Sequence, residues 1–163
     1  MLKRMFKDFV KFLFIVLAPL CIGGIVYVVW RPYTSLLMFS WFEHLCLADY
    51  VLFLRNTFSY INAPYWFIDW FPNASWTFSF MTVMYWLWGK QVYKIKYFFI
   101  LLPVFLGLTF ELAQLFNLLP GTFDIGDILA HLVGALSAIL IVKRFIFDDY
   151  CFSFPVMKET KEM

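Results

Sequence analysis

The stretch ELAQLFNLLPGTFDIGDILAHLVG, residues 111–134, decides the reading of this chain. Glu111 and Gln114 close one apolar run, a short turn holds Pro120, Gly121 and Asp124, and Asp127 and His131 open the next apolar run. Each run is long and apolar enough to cross a bilayer. The stretch therefore predicts two membrane helices joined by a tight turn, with ionisable side chains set within their span. Carboxylates in a bilayer are costly and nearly always face a bundle interior or a wet cavity, so they are functional candidates.

The flanking residues sharpen the geometry. Pro103, Gly107, Glu111 and Gln114 follow i, i+4, i+8 and i+11 spacing and share one helical face, which must look inward. Counted from Lys96, Glu111 lies about 22 Å from the inner boundary, in the outer third of the membrane. Downstream, Gly126, Ala130, Gly134 and Ala138 recur every four residues, a small-residue ridge that lets two helix backbones approach closely. His131 lies about 6 Å below Asp127 along its helix, near the depth of Glu111. Because the turn is short, the two helices are expected to be antiparallel neighbours. Glu111, Gln114, Asp124, Asp127 and His131 are then the candidate ligand-binding residues.

Structural roles compete with that reading. Asp124 suits the N-cap of the last helix with Asp127 at its third position, where the helix dipole favours a carboxylate and no ligand is needed. Gln114 suits an interhelical hydrogen bond. Glu111 is harder to explain structurally, because a charge at that depth needs a partner or a shifted pKa. Glu, Asp and His are suitable ligands for a divalent cation, but no tight motif such as H-E-x-x-H is present, so no cofactor is expected. Glu43 and His44 are further candidates for completing the cluster, although adjacent residues on a helix point in diverging directions.

The rest of the chain agrees with a membrane protein. Its 163 residues are 63% hydrophobic and 23% aromatic, with a mean hydropathy of +0.78, far above a soluble globule. The net charge of +2 says little by itself, since the distribution of charge matters more than its sum, and no part of the chain suggests a nucleic-acid partner. Four spans are expected, at 12–30, 74–89, 97–119 and 127–147, making an all-α bundle over 1–147 followed by a tail at 148–163. The second is short, and its approach is rich in Trp and Tyr (Trp66, Trp70, Trp76, Tyr85, Trp86, Trp88), which suit the interfacial belts. The basic N-terminal segment imitates a signal peptide, but Leu20 before Cys21 spoils a lipoprotein processing site and the apolar run continues to Trp30. It reads as an uncleaved anchor.

Lys3, Arg4, Lys7 and Lys11, then Lys90, Lys94 and Lys96, then Lys143, Arg144, Lys158 and Lys161 fall on one side, leaving Arg31 and Arg55 opposite. Both termini are therefore expected in the cytoplasm, with residues 31–73 outside. The apolar segment 35–54 carries Glu43, His44 and Asp49. A fifth crossing there would break the charge parity, so an outer interfacial or re-entrant helix is expected. Cys21, Cys46 and Cys151 are odd in number, match no metal spacing and read as buried or idle thiols. Asn73-Ala74-Ser75 fits a glycosylation sequon but abuts a span.

Glu111 and Gln114, then Gly121, Asp124 and Asp127, then His131 and Gly134 together resemble the signature of VanZ-like membrane proteins: an E-x-x-Q helix, a loop close to G-R-x-x-D-x-x-D, and a following N-x-x-G helix. Pro72 to Trp76 is also similar to a Pro-led, Trp-ended start of a span in some relatives. Thr122 stands where that pattern has Arg, the loop is one residue shorter, and His131 replaces Asn. The resemblance implies a small bacterial inner-membrane helical bundle, linked through its namesake to low-level glycopeptide resistance. The expected function is an outward-facing pocket for an envelope lipid or cell-wall precursor. Were it catalytic, Glu111 or His131 would serve as general base, with the aspartates holding a cation or orienting water. The alternative is a non-catalytic sensor or scaffold that forms a homo-oligomer through the small-residue ridge and signals to a cytosolic partner in envelope stress or phage defence.

Overall fold

The computed structural model describes residues 2–32, 38–119, 121–142 and 144. They form six helices: α1 (Leu2–Trp30), α2 (Met38–His44), α3 (Ala48–Phe58), α4 (Tyr65–Trp88), α5 (Ile95–Leu115) and α6 (Ile125–Val142), with no strand among the described residues. Three segments, Phe6–Trp30, Ile95–Leu115 and Ile125–Val142, are long and apolar enough to cross a membrane. The expected tail at 148–163, with Cys151, lies outside the described residues, as do Pro120 and Lys143.

The segment around the expected second span differs most from its sequence reading. Instead of starting near residue 74, α4 begins at Tyr65 and runs through Pro72 for 24 residues. At about 1.5 Å per residue it is ample for a crossing, yet its composition keeps it out of the apolar set. Packing supplies the reason, since α4 is the central helix and α6, α1 and α5 all pack on it. Its polar residues Ser75, Thr77, Ser79 and Thr82 are buried against those neighbours. The hydroxyl of Ser79 donates to the Val16 carbonyl of α1 at 2.8 Å, and that of Thr82 donates back to Phe78 at 2.7 Å. A helix covered by protein can carry hydroxyls that a lipid-facing helix cannot.

Small residues set the spacing of the bundle. A Cβ on Gly134 would lie 2.3 Å from the Ala74 carbonyl oxygen, and one on Gly23 would lie 2.8 Å from the Ser75 Cβ. The ridge of Gly126, Ala130, Gly134 and Ala138 is buried, and Gly126 and Gly134 sit directly against Trp70 and Ala74 of α4 in the same chain. Toward the Lys90–Lys96 end, Phe78, Met81, Ile100, Ala135 and Ala138 form the apolar core. Beside it Trp88 stacks on Phe99 at 4.1 Å. By contrast, α1 and α5 make at most marginal contact with each other.

The segment between α1 and α4 holds two short helices where one was expected. Cys46, at φ 56, makes the bend, with the Leu47 amide donating to the Phe42 carbonyl at 2.8 Å. Arg55 of α3 then reaches back to the end of α1, donating to the Val28 carbonyl and to the Arg31 carbonyl at 2.8 Å. Carbonyls at the end of a helix run out of amides from a following turn, so a guanidinium that donates to them satisfies them and fixes α3 over the end of α1. Val51 is buried beside Tyr27, Val28 and Phe42.

At the far end of α5 the sequence reading ran to Leu119, but the helix stops at Leu115. Asn117 takes a left-handed conformation, φ 55, and the Leu118 amide donates to the Ala113 carbonyl at 2.8 Å. Asn tolerates this conformation better than most residues, so the chain turns early.

Candidate functional site

The expected site residues separate into two groups. Glu111 and Gln114 on α5 and Asp127 and His131 on α6 line one cavity of about 420 Å³, together with residues of α1 and α4. Asp124 does not line it. Its Oδ1 accepts the Gly126 amide at 2.8 Å, an N-cap contact for α6. Its Oδ2 accepts the Trp70 indole N–H at 3.1 Å and the Tyr65 hydroxyl at 3.2 Å. The Asp124 amide in turn donates to Glu111 Oε2 at 3.3 Å. Asp124 thus ties α6, the start of α4 and α5 together at one end of the bundle.

These donors hold the Asp124 carboxyl below the ordinary carboxylate range, first through the Gly126 amide and then through the Trp70 indole. A carboxylate lowered on folding contributes stability above its unfolded pKa of about 3.9 and loses it as pH falls through the folded value. The unfolding temperature followed by circular dichroism should therefore fall on acidification from pH 5 to pH 3. Asp124→Asn should be less stable at pH 5 and less sensitive to that change; an unaltered pH profile in the variant would contradict the role.

Within the cavity, the buried groups are fixed to different degrees. His131, 5% exposed, shares a 2.6 Å hydrogen bond between its Nδ1 and the Thr77 hydroxyl. Its ring lies edge-on to Trp76 at 6.1 Å and directly over Gly107, where a Cβ would come within 2.7 Å of it. Glu111 is 4% exposed and Asp127 8%. Asp127 keeps one oxygen, Oδ1, without any hydrogen-bond partner, and the nearby Asn73 amide donates instead to the Asp69 carbonyl at 3.5 Å. A buried carboxylate oxygen left unpaired is expensive, and its exception calls for an explanation. Gln114 is locked from the turn side: Gly121, at φ +134, passes so close that a Cβ would lie 2.7 Å from its amide nitrogen.

The sequence reading missed the contribution of α1. Leu20, Gly23, Gly24, Tyr27, Val28 and Arg31 line the cavity, a set at i, i+3, i+4, i+7, i+8 and i+11 that is one helical stripe. That spacing was the available signal, hidden because all but one of its members look like ordinary span residues. Arg31 is held by Asp69, whose Oδ1 lies 3.1 Å from its Nε. The angle is too poor for a hydrogen bond at Nε, but Nη2 donates to the Asp69 carbonyl at 3.2 Å. The guanidinium also lies 5.3 Å from the centroid of the Tyr27 ring.

Glu43 and His44 are not among the lining residues. Among the described residues no three His, Cys, Asp or Glu side chains are grouped to hold a metal ion. Chemically the cavity offers two carboxylates, a guanidinium, two amides and an imidazole at one region, with Leu20, Gly24, Val28, Trp76 and Phe110 as apolar wall. Its volume falls in the range of small-molecule sites, about 300–1,000 Å³. No family model, curated protein or solved structure matches the chain.

Proposed function

We propose that the chain is a VanZ-like protein of a bacterial inner membrane whose cavity binds an amphiphile of the cell envelope, a lipid or a lipid-linked wall precursor. The observation that carries this reading is the buried Asp127 oxygen without a partner in the wall of a cavity of about 420 Å³. The gap between α1 and α5 supports it. Both helices line the cavity without packing on each other, and the apolar residues at their facing edges, Leu20 and Phe110, are exposed. A side opening of this kind admits a lipid from the plane of the bilayer.

In this reading α1, α4, α5 and α6 are the four crossings, with α4 accepted because protein shields its hydroxyls. Lys3, Lys7 and Lys11 of α1 and Lys90, Lys94 and Lys96 between α4 and α5 favour a cytoplasmic N-terminus and a pocket toward the outer face. The short helices α2 and α3 then lie at the outer interface, where their exposed Trp41, Tyr50 and Phe53 suit the headgroup region. Where the VanZ-like pattern has Arg, this chain has Thr122; here a guanidinium reaches the pocket from Arg31. An oligomeric sensor remains the rival reading. It would need a surface other than the small-residue ridge, which α4 of the same chain covers.

Native mass spectrometry of protein released gently from membranes tests the proposal. The wild type should carry a defined amphiphile adduct, and a Glu111→Gln, Asp127→Asn double variant should lose most of it while remaining inserted. A wild type without adduct, or an adduct equal in both proteins, would refute the pocket.

A further inference from the structure

The charges around the cavity are not scattered. Glu111 and Asp127, both more than nine-tenths buried, stand on α5 and α6. Arg31, with a side chain 25% exposed, stands at the end of α1. Asp127 Oδ1 has no partner, whereas the guanidinium is already oriented by Asp69 and Tyr27. Trp76, which lines the cavity and meets His131 edge-on, adds an aromatic face.

A group that completes this arrangement must bring hydrogen-bond donors and positive charge to Asp127 and Glu111. Charge-assisted hydrogen bonds to a carboxylate are about twice as strong as neutral ones, and an aromatic wall adds attraction for a cation. An anionic headgroup would bring its charge against two buried carboxylates and offer Oδ1 at most a neutral hydroxyl donor. A headgroup with phosphate and ammonium a few bonds apart meets both halves: guanidinium for the phosphate, carboxylates for the ammonium. The apolar stripe of α1 from Val28 down to Leu20, about 12 Å along the helix, continues from that polar end and suits an acyl chain.

We infer, resting on the amphiphile reading above, that the pocket selects a primary-amine headgroup: the ammonium is received by Asp127 and Glu111 and the adjoining phosphate by Arg31. The ligand class is an aminophospholipid. A soluble phosphorylated amine shares the headgroup chemistry but has no use for the apolar stripe.

Delipidated full-length protein would be titrated, with native mass spectrometry as readout, against phosphatidylethanolamine, phosphatidylglycerol of the same acyl chains, and free phosphoethanolamine. Phosphatidylethanolamine should bind at least about tenfold more tightly than phosphatidylglycerol. Asp127→Asn, nearly isosteric, should erase that preference while keeping phosphatidylglycerol binding. Glu111→Gln should do the same in part, and serves if Asp127→Asn fails to fold. Free phosphoethanolamine binding as tightly as the lipid would uphold the ammonium site but overturn the lipid as its source. Equal affinity for the two lipids, or a preference that survives both variants, would overturn the headgroup assignment and leave the pocket standing. Failure of the wild type to bind any of the three would overturn the aminophospholipid assignment, and the adduct test on gently released protein would then decide separately whether the pocket reading stands.

Discussion

Gly24→Trp is expected to exclude the amphiphile proposed for the cavity while leaving the bundle intact. Gly24 lies on the cavity stripe of α1, and a Cβ built there meets nothing within 4 Å. The indole would therefore project into free space and occupy volume that the ligand needs. Removing a helical glycine also relieves a residue that weakens helices by about 1 kcal/mol relative to Ala. The variant should thus match or exceed the wild type in unfolding temperature once both are delipidated. Phosphate analysis of the purified protein should show tightly held lipid falling by at least about tenfold, as for a filled site. Retention of lipid at the wild-type level would mean that it is bound elsewhere.

Gly134→Leu should do the opposite, destroying the fold and the site with it. The Cβ alone would stand 2.3 Å from the Ala74 carbonyl oxygen and 3.1 Å from its carbon, so the clash is with backbone and no rotamer relieves it. Forcing α6 from α4 would also open the His131–Thr77 hydrogen bond and the buried layer of Ala135 and Ala138 on α6. Overpacking a core costs about 1–3 kcal/mol where side chains can yield, and here they cannot. Loss of the cooperative thermal transition, or degradation in the cell, is the expected outcome. A stable Gly134→Leu protein would show that α4 and α6 do not pack through this ridge. The two glycines share a residue type and differ by what faces them, which makes the pair a test of the packing itself.

The helical class and the approach of Glu111, Gln114, Asp127 and His131 were legible because spacing on two consecutive helices and a short turn leave little freedom. The same arithmetic could not separate Asp124 from the others. Its distinction is that Tyr65 and Trp70, more than fifty residues away, donate to it, and no local pattern reports a distant donor. The extent of α4 was hidden for a related reason. Hydropathy measures fitness for lipid, and a helix surrounded by other helices is released from that demand, so Ser75, Thr77, Ser79 and Thr82 depress a signal that their burial makes irrelevant. Arg31 escaped because a lone basic residue at the end of a span usually reads as an interfacial anchor. Asp69 and Tyr27 turn it to the cavity instead.

The most direct test of the central claim is to find where a lipid sits. A phospholipid bearing a diazirine midway along one acyl chain would be incorporated with the protein into vesicles, photolysed, and its attachment points mapped by peptide mass spectrometry. If the gap between α1 and α5 is the portal, labelling should concentrate at Leu20 and Phe110 and be competed away by unlabelled lipid. Phe14 and Leu140, which are more exposed but are not among the residues lining the cavity, should show only weak, uncompeted background. Label spread evenly over all four positions, indifferent to competitor, would contradict a lipid site in this cavity.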